Sequence, residues 1–208
     1  MTTLLRLSPG ARGLFVLAHG AGAGMRHPFL ESMSELLDER GLGTLRYQFP
    51  YMEAKKRRPD PPAVAATAVR AAVVAAAQAA PDVPLVAGGK SFGGRMTSTA
   101  QAESPLPGVR GLVFLGFPLH PPGKPGTTRA DHLRRVEVPM LFLLGTRDDF
   151  ATLDLMQSVV TGLGARATLH VIEGGDHSFN VPKSSSRTGG PVMQELAETI
   201  SCWVRALE

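Results

Sequence analysis

Leu85-Val86-Ala87-Gly88-Gly89-Lys90-Ser91-Phe92-Gly93-Gly94-Arg95 runs from a short apolar segment, through a G-x-S-x-G turn, into a helical pattern that extends to Ala102. The pentapeptide alone is common in proteins. Its place between a strand and a helix carries the information, because a serine there occupies the sharp, strained turn of a nucleophile elbow. Gly89 and Gly93 lack side chains, so strand and helix can close around Ser91 without a clash. The hydroxyl then stands above the carboxyl edge of a sheet, where α/β proteins place their ligands. The positive end of the helix dipole lies behind it and favours negative charge developing nearby. The competing reading is a serine that merely caps the helix.

Outward from this turn, apolar runs bounded by Gly or Pro recur at Leu14–Ala18, Leu85–Ala87, Gly111–Leu115 and Met140–Leu144. This is the form of parallel strands buried on both faces. Thr44–Tyr47 and Ala167–Ile172 read as further strands, and Thr3–Leu7 as an edge strand. Helical patterns fall between them at Phe29–Arg40, Pro61–Ala80, Phe92–Ala102, Asp149–Gly162 and Pro191–Leu207. The alternation predicts a mostly parallel sheet with helices on both faces. Glu53–Pro62 and Pro118–Asp131 read as long loops, and the 208 residues read as a single domain.

A serine alcohol needs a base to take its proton. His177 follows the last strand directly, in Glu173-Gly174-Gly175-Asp176-His177, and paired glycines let that loop bend back over the sheet edge. His170 lies within the strand and reads as structural. The acid is expected after the preceding strand, where Met140–Leu144 runs into Gly145-Thr146-Arg147-Asp148-Asp149. Asp148 is the expected acid, with Asp149 read as a helix cap and Asp176 as a turn residue. The order Ser91, Asp148, His177 is that of the Ser…Asp…His triads of α/β hydrolases. Two backbone amides are expected to form an oxyanion hole. One is Phe92, after the serine. The other comes from Ala18-His19-Gly20-Ala21-Gly22-Ala23-Gly24 and is Ala21, with Gly22 as the alternative. That glycine-rich loop is not G-x-G-x-x-G and carries no Lys-Ser/Thr after it, which disfavours a nucleotide site.

Composition sets the outer bounds. Hydrophobic residues make up 43% and charged residues 19%, an ordinary globular balance, and the formal charge of +4 points to no nucleic acid or membrane partner. The basic run Lys55-Lys56-Arg57-Arg58 has no interleaved aromatics and reads as a solvated loop. The one cysteine, Cys202, excludes an internal disulfide and reads as a buried packing residue beside Trp203. The first residues lack the pattern of a signal peptide, no apolar stretch reads as a membrane span, and the expected location is the cytoplasm. Oligomeric state has no signature.

Leu17–Gly24, Tyr47-Gln48-Phe49-Pro50-Tyr51, Gly88–Arg95, Leu115–Pro125, Gly145–Phe150 and Gly174–Lys183 together resemble a family of α/β hydrolases. That family is dienelactone-hydrolase-like and related to testis-expressed and KAT8-complex-subunit-like proteins. The resemblance spans nearly the whole chain and is most specific in Gly89–Arg95 and Leu119–Pro125. It implies an α/β-hydrolase fold without a large lid and a triad of Ser91, Asp148 and His177. Dienelactone hydrolases proper carry cysteine at the elbow, where this chain has serine. Gly22, His120 and Phe117 are expected at the substrate pocket, His120 either lining or capping it. Lys90 and Arg95 are expected to pair with carboxylates that hold the elbow. The reading is a serine hydrolase for small esters or thioesters, working through an acyl-enzyme with no metal or organic cofactor. The alternative is a catalytically weak module of the same fold that binds a protein partner.

Overall fold

The computed structural model describes residues 1–184, 187 and 190–207. Among these residues seven strands form one sheet: β1 (Thr3–Arg6), β2 (Gly13–Ala18), β3 (Leu42–Tyr47), β4 (Leu85–Lys90), β5 (Val109–Leu115), β6 (Met140–Gly145) and β7 (Ala167–Ile172). Their order is β1-β3-β2-β4-β5-β6-β7. All neighbours run parallel except β1, which pairs antiparallel with β3 as an edge strand. The runs that read as continuous apolar segments are the inner strands, and β2 and β6 are buried along their whole length. Such strands need helices on both faces.

The helices are α1 (Pro28–Asp38), α2 (Pro50–Glu53), α3 (Pro62–Ala79), α4 (Phe92–Glu103), α5 (Leu153–Leu163) and α6 (Gly190–Arg205). Leu30, Met33 and Leu37 of α1 and Val192, Leu196 and Ile200 of α6 cover one face, against Phe15, Val113 and Leu141. Helices α3, α4 and α5 cover the other, against Val16, Phe114 and Phe142. Full burial of a Leu or Met of this kind stabilises the fold by about 1.5–3 kcal/mol. Helix α3 is the one helix among the described residues long and apolar enough to cross a membrane. Here its Ala65, Ala66, Ala68, Val69, Ala72, Val73 and Ala76 are buried, the spacing of a core-facing stripe. Alanine along that stripe lets α3 lie close to α4.

Three local expectations are corrected. Helix α5 begins at Leu153 with Thr152 at its cap position, so Asp149 is an exposed turn residue and caps nothing. Cys202 is exposed, with its thiol 3.1 Å from Glu198. The buried residues of α6 include Leu196, Ala197, Ile200, Ser201 and Val204, and their spacing turns position 202 outward. The expected loop Pro118–Asp131 runs into a 3-10 helix over Thr128–Arg135, whose Ala130 and Leu133 are buried. Helix α2 has no counterpart among the expected elements, and the other strand and helix spans fall within a few residues of those expected.

Candidate active site

Strand β4 delivers Lys90 to the sheet edge, and the chain turns into α4 in a single residue. Ser91 has φ 49° and ψ −114°, a sparsely populated conformation for a residue with a side chain. The turn is held by Ser91 N–H donating to Leu115 O at 3.0 Å and Arg95 N–H donating to Ser91 O at 3.1 Å. It also demands glycine at both flanks. A Cβ on Gly89 would lie 2.3 Å from Ala18 O, and one on Gly93 would lie 2.5 Å from His19 O. The Ser91 side chain makes no capping bond to α4. Its hydroxyl is directed elsewhere.

That direction is His177. Ser91 Oγ lies 2.9 Å from His177 Nε2, and His177 Nδ1 lies 2.8 and 2.9 Å from the two Asp148 oxygens. The carboxylate only accepts, so Nδ1 carries the proton and Nε2 is left to accept from the serine. The Asp148 side chain is fully buried, and Oδ1 also accepts the Phe150 N–H at 2.7 Å, which shapes the turn after β6. Asp176 accepts from the N–H of Ser178 at 2.8 Å and of Asn180 at 2.9 Å, the turn role expected of it. The Phe150 ring packs against the His177 ring with centroids 4.3 Å apart. Nothing in chain order alone brings these residues together. They meet because β4, β6 and β7 run parallel and end at the same edge.

The loop after β2 lies beside Ser91, where a Cβ on Gly20 would sit 3.9 Å from Ser91 Cβ. Its carbonyls are fixed from outside. His19 is fully buried, with Nδ1 donating to Gly20 O at 2.8 Å and Nε2 accepting from Phe49 N–H at 3.1 Å. Burial holds the His19 imidazole below its ordinary pKa, in keeping with this neutral, one-donor, one-acceptor arrangement. Tyr51 Oη donates to Ala21 O at 2.8 Å, and burial raises its phenol to about 12, so it stays protonated. In a trans peptide the N–H points opposite the carbonyl. Fixing Gly20 O and Ala21 O therefore fixes the Ala21 and Gly22 N–H directions. Phe92, as the first residue of α4, has no intrahelical acceptor for its N–H.

The family described as alpha/beta hydrolase domain matches residues 11–205 of this sequence. The chain belongs to that alpha/beta hydrolase family. Solved structures share the hydrolase's architecture at low identity. The dienelactone hydrolase from Anabaena variabilis superposes with a TM-score of 0.78 at 21% identity, covering 98% of this chain and 90% of that one. An alpha-beta serine hydrolase homologue from Coxiella burnetii gives 0.76 at 17%, covering 97% and 90%. The monoacylglycerol lipase from Paleococcus ferrophilus gives 0.73 at 15%, covering 100% of each chain. At these identities the likeness is one of fold.

In this hydrolase a cavity of about 640 Å³ opens at Ser91, walled by the Gly20–Ala23 loop, by Phe29 and Leu30 of α1, and by Phe150, His177 and Asn180. Ala21 and Gly22 line this cavity. Phe117 and His120 do not. Phe117 is buried against Phe114 and Phe142, because the chain after β5 dives into the core. His120 is buried as well, its Nδ1 on Pro121 O at 2.9 Å and its N–H donating to Phe150 O at 3.0 Å, so it braces the turn that carries Phe150. Lys90 lines the cavity and bonds a carbonyl, not the carboxylate expected of it. The residues missed by sequence reasoning are His27, Phe29, Leu30, Phe150, Ser178 and Asn180 on the walls, and Tyr51 as a brace. Tyr51 had a signal, since it stands in one of the family-like stretches. The α1 residues had none, because nothing local says where that helix lands. Among the described residues no group of three His, Cys, Asp or Glu is placed to hold a metal ion.

Proposed function

We propose that this alpha/beta hydrolase is a single-domain serine hydrolase that cleaves small esters or thioesters through an acyl-enzyme. The observation that carries the reading is the continuous relay from Ser91 Oγ to His177 Nε2 at 2.9 Å and from His177 Nδ1 to Asp148 at 2.8 Å, opening on a cavity. Ser91 attacks the substrate carbonyl while His177 takes its proton. Asp148 keeps the imidazole in the accepting tautomer and stabilises the imidazolium that forms. The N–H groups of Phe92 and Ala21 receive the oxyanion. His177 then returns the proton to the leaving alcohol or thiol, and a water repeats the sequence to release the acid. Serine at the elbow, in place of the cysteine of dienelactone hydrolases proper, supports an ordinary ester as substrate over dienelactone. The esterase domain of a Rhodothermus marinus protein and the Paleococcus monoacylglycerol lipase, which share this fold, support ester chemistry.

The test is covalent. A fluorophosphonate probe labels the wild-type protein and leaves Ser91→Ala unlabelled, and a panel of p-nitrophenyl esters then ranks the acyl groups. Equal labelling of both proteins removes Ser91 as the nucleophile.

A further inference from the structure

Lys90 immediately precedes Ser91 at the end of β4. Its Nζ donates to the backbone carbonyl of His177 at 2.5 Å, joining residues 87 apart in sequence. Nζ also lies 5.5 Å from the centroid of the Phe179 ring. The strands that feed Ser91 and His177 are not neighbours, because β5 and β6 separate β4 from β7. The bond therefore crosses the sheet edge over the end of β5. Gly116 makes room for it, with φ +69° and with a Cβ position only 3.2 Å from Lys90 Nζ and 3.3 Å from His177 O. The charged and titratable groups facing the ammonium are Asp148, Asp176, the His177 ring and, on the cavity wall, His27. Burial pushes the ammonium down to about 8, against the opposing pull of Asp148 and Asp176.

We propose that Lys90 is a positioning residue whose ammonium grips the His177 carbonyl and so holds the imidazole at hydrogen-bond distance from Ser91. The inference rests on the reading of Ser91 and His177 as nucleophile and base. A hydrogen bond from a charged donor is about twice as strong as a neutral one. Deprotonation weakens the grip, and the His177 loop loses its tie to the serine strand. The sign is fixed by the direction of the shift. The cation is present below about 8 and lost above it, so activity falls as pH rises through that value.

The rate of fluorophosphonate labelling measures this without knowledge of the substrate. In the wild type it declines as pH rises from neutral through about 8. Lys90→Met labels about tenfold more slowly at neutral pH and shows no such decline. Lys90→Arg carries a charge that does not titrate in this range, so its profile shows no decline through about 8 whatever its absolute rate. The downfield proton resonance of His177 Nδ1–H, sharp in the wild type at neutral pH, broadens in Lys90→Met. A wild-type rate that stays flat through about 8 overturns the proposal. So does a Lys90→Met variant that melts earlier but keeps the wild-type rate and resonance, which is the mark of a purely structural lysine. Should Lys90→Met not fold, the wild-type and Lys90→Arg profiles decide. Labelling of Ser91→Ala as strong as wild type fells the hydrolase reading itself. An intact Ser91→Ala contrast beside an unaffected Lys90→Met fells only this inference.

Discussion

Replacing Asp148 with asparagine tests the relay at its buried end. The carboxylate receives His177 Nδ1–H at 2.8 and 2.9 Å and the Phe150 N–H at 2.7 Å. Asparagine keeps one oxygen, and the Phe150 bond can hold it, so the turn after β6 survives. The amide NH2 then faces His177. A donor opposite Nδ1 favours the imidazole tautomer with its proton on Nε2. That nitrogen can no longer accept from Ser91, and the serine is left without a base. A wrong tautomer of this kind costs about 10⁴ in kcat, or roughly 5 kcal/mol at 1.36 kcal/mol per factor of ten. Asp149, one residue later, is exposed and bonded to nothing in the site, so Asp149→Asn stays within about twofold. The assay is kcat on p-nitrophenyl acetate for both variants, with circular dichroism melts beside it. An Asp148→Asn enzyme with a tenth or more of wild-type kcat, or an Asp149→Asn enzyme equally crippled, refutes the reasoning.

Tyr51→Phe removes the donor on Ala21 O and loosens the Ala21 and Gly22 amides. Steady-state kinetics are expected to show kcat lowered about tenfold with KM within about twofold, because an oxyanion donor acts on the transition state. A change confined to KM contradicts this. Gly93→Ala drives a methyl to 2.5 Å from His19 O and 2.6 Å from Ala18 Cβ, at and just past the end of β2. Overpacking of this kind costs about 3 kcal/mol, a Tm fall of roughly 6–12 °C at this chain length. An unchanged melting curve would mean that the elbow tolerates side chains there. Acyl preference is expected to peak at acetyl to butyryl and fall for palmitoyl, since a long chain leaves the Phe29, Leu30 and Phe150 walls and gains no burial in water. A p-nitrophenyl ester series with a palmitate optimum, or a rate jump above the micelle concentration, argues against it.

Much of the molecule is legible in the chain because parallel strands and amphipathic helices announce themselves locally. The runs at 14–18 and 140–144 are apolar on both faces, and that is enough to place them inside a covered sheet. Ser91 is legible for the same reason: an elbow needs only its flanking glycines and the strand and helix on either side. Chain order then singles out His177 and Asp148 as the residues just past the later strands. The errors fall where local pattern is silent. Asp149 looks like a cap because it precedes a helical run, but the helix starts at Leu153 and its cap position falls three residues later, at Thr152. Cys202 looks buried beside Trp203, but helix phase turns it outward.

By itself the sequence singled out Ser91, His177 and Asp148 as candidates for nucleophile, base and acid, and the strand ends on which they sit, since each depends on neighbours within a few positions. Only the tertiary structure decided what surrounds them. The strand order β4-β5-β6-β7 sets how far apart Ser91 and His177 begin, and the half-buried Lys90 reaches over Gly116 to bridge that gap. Helix α1 becomes a cavity wall, and Phe117 and His120 leave the pocket for the core, because side chains far apart in sequence compete for the same two faces of one sheet. Burial of that kind is a property of the packed molecule, and no local spacing encodes it.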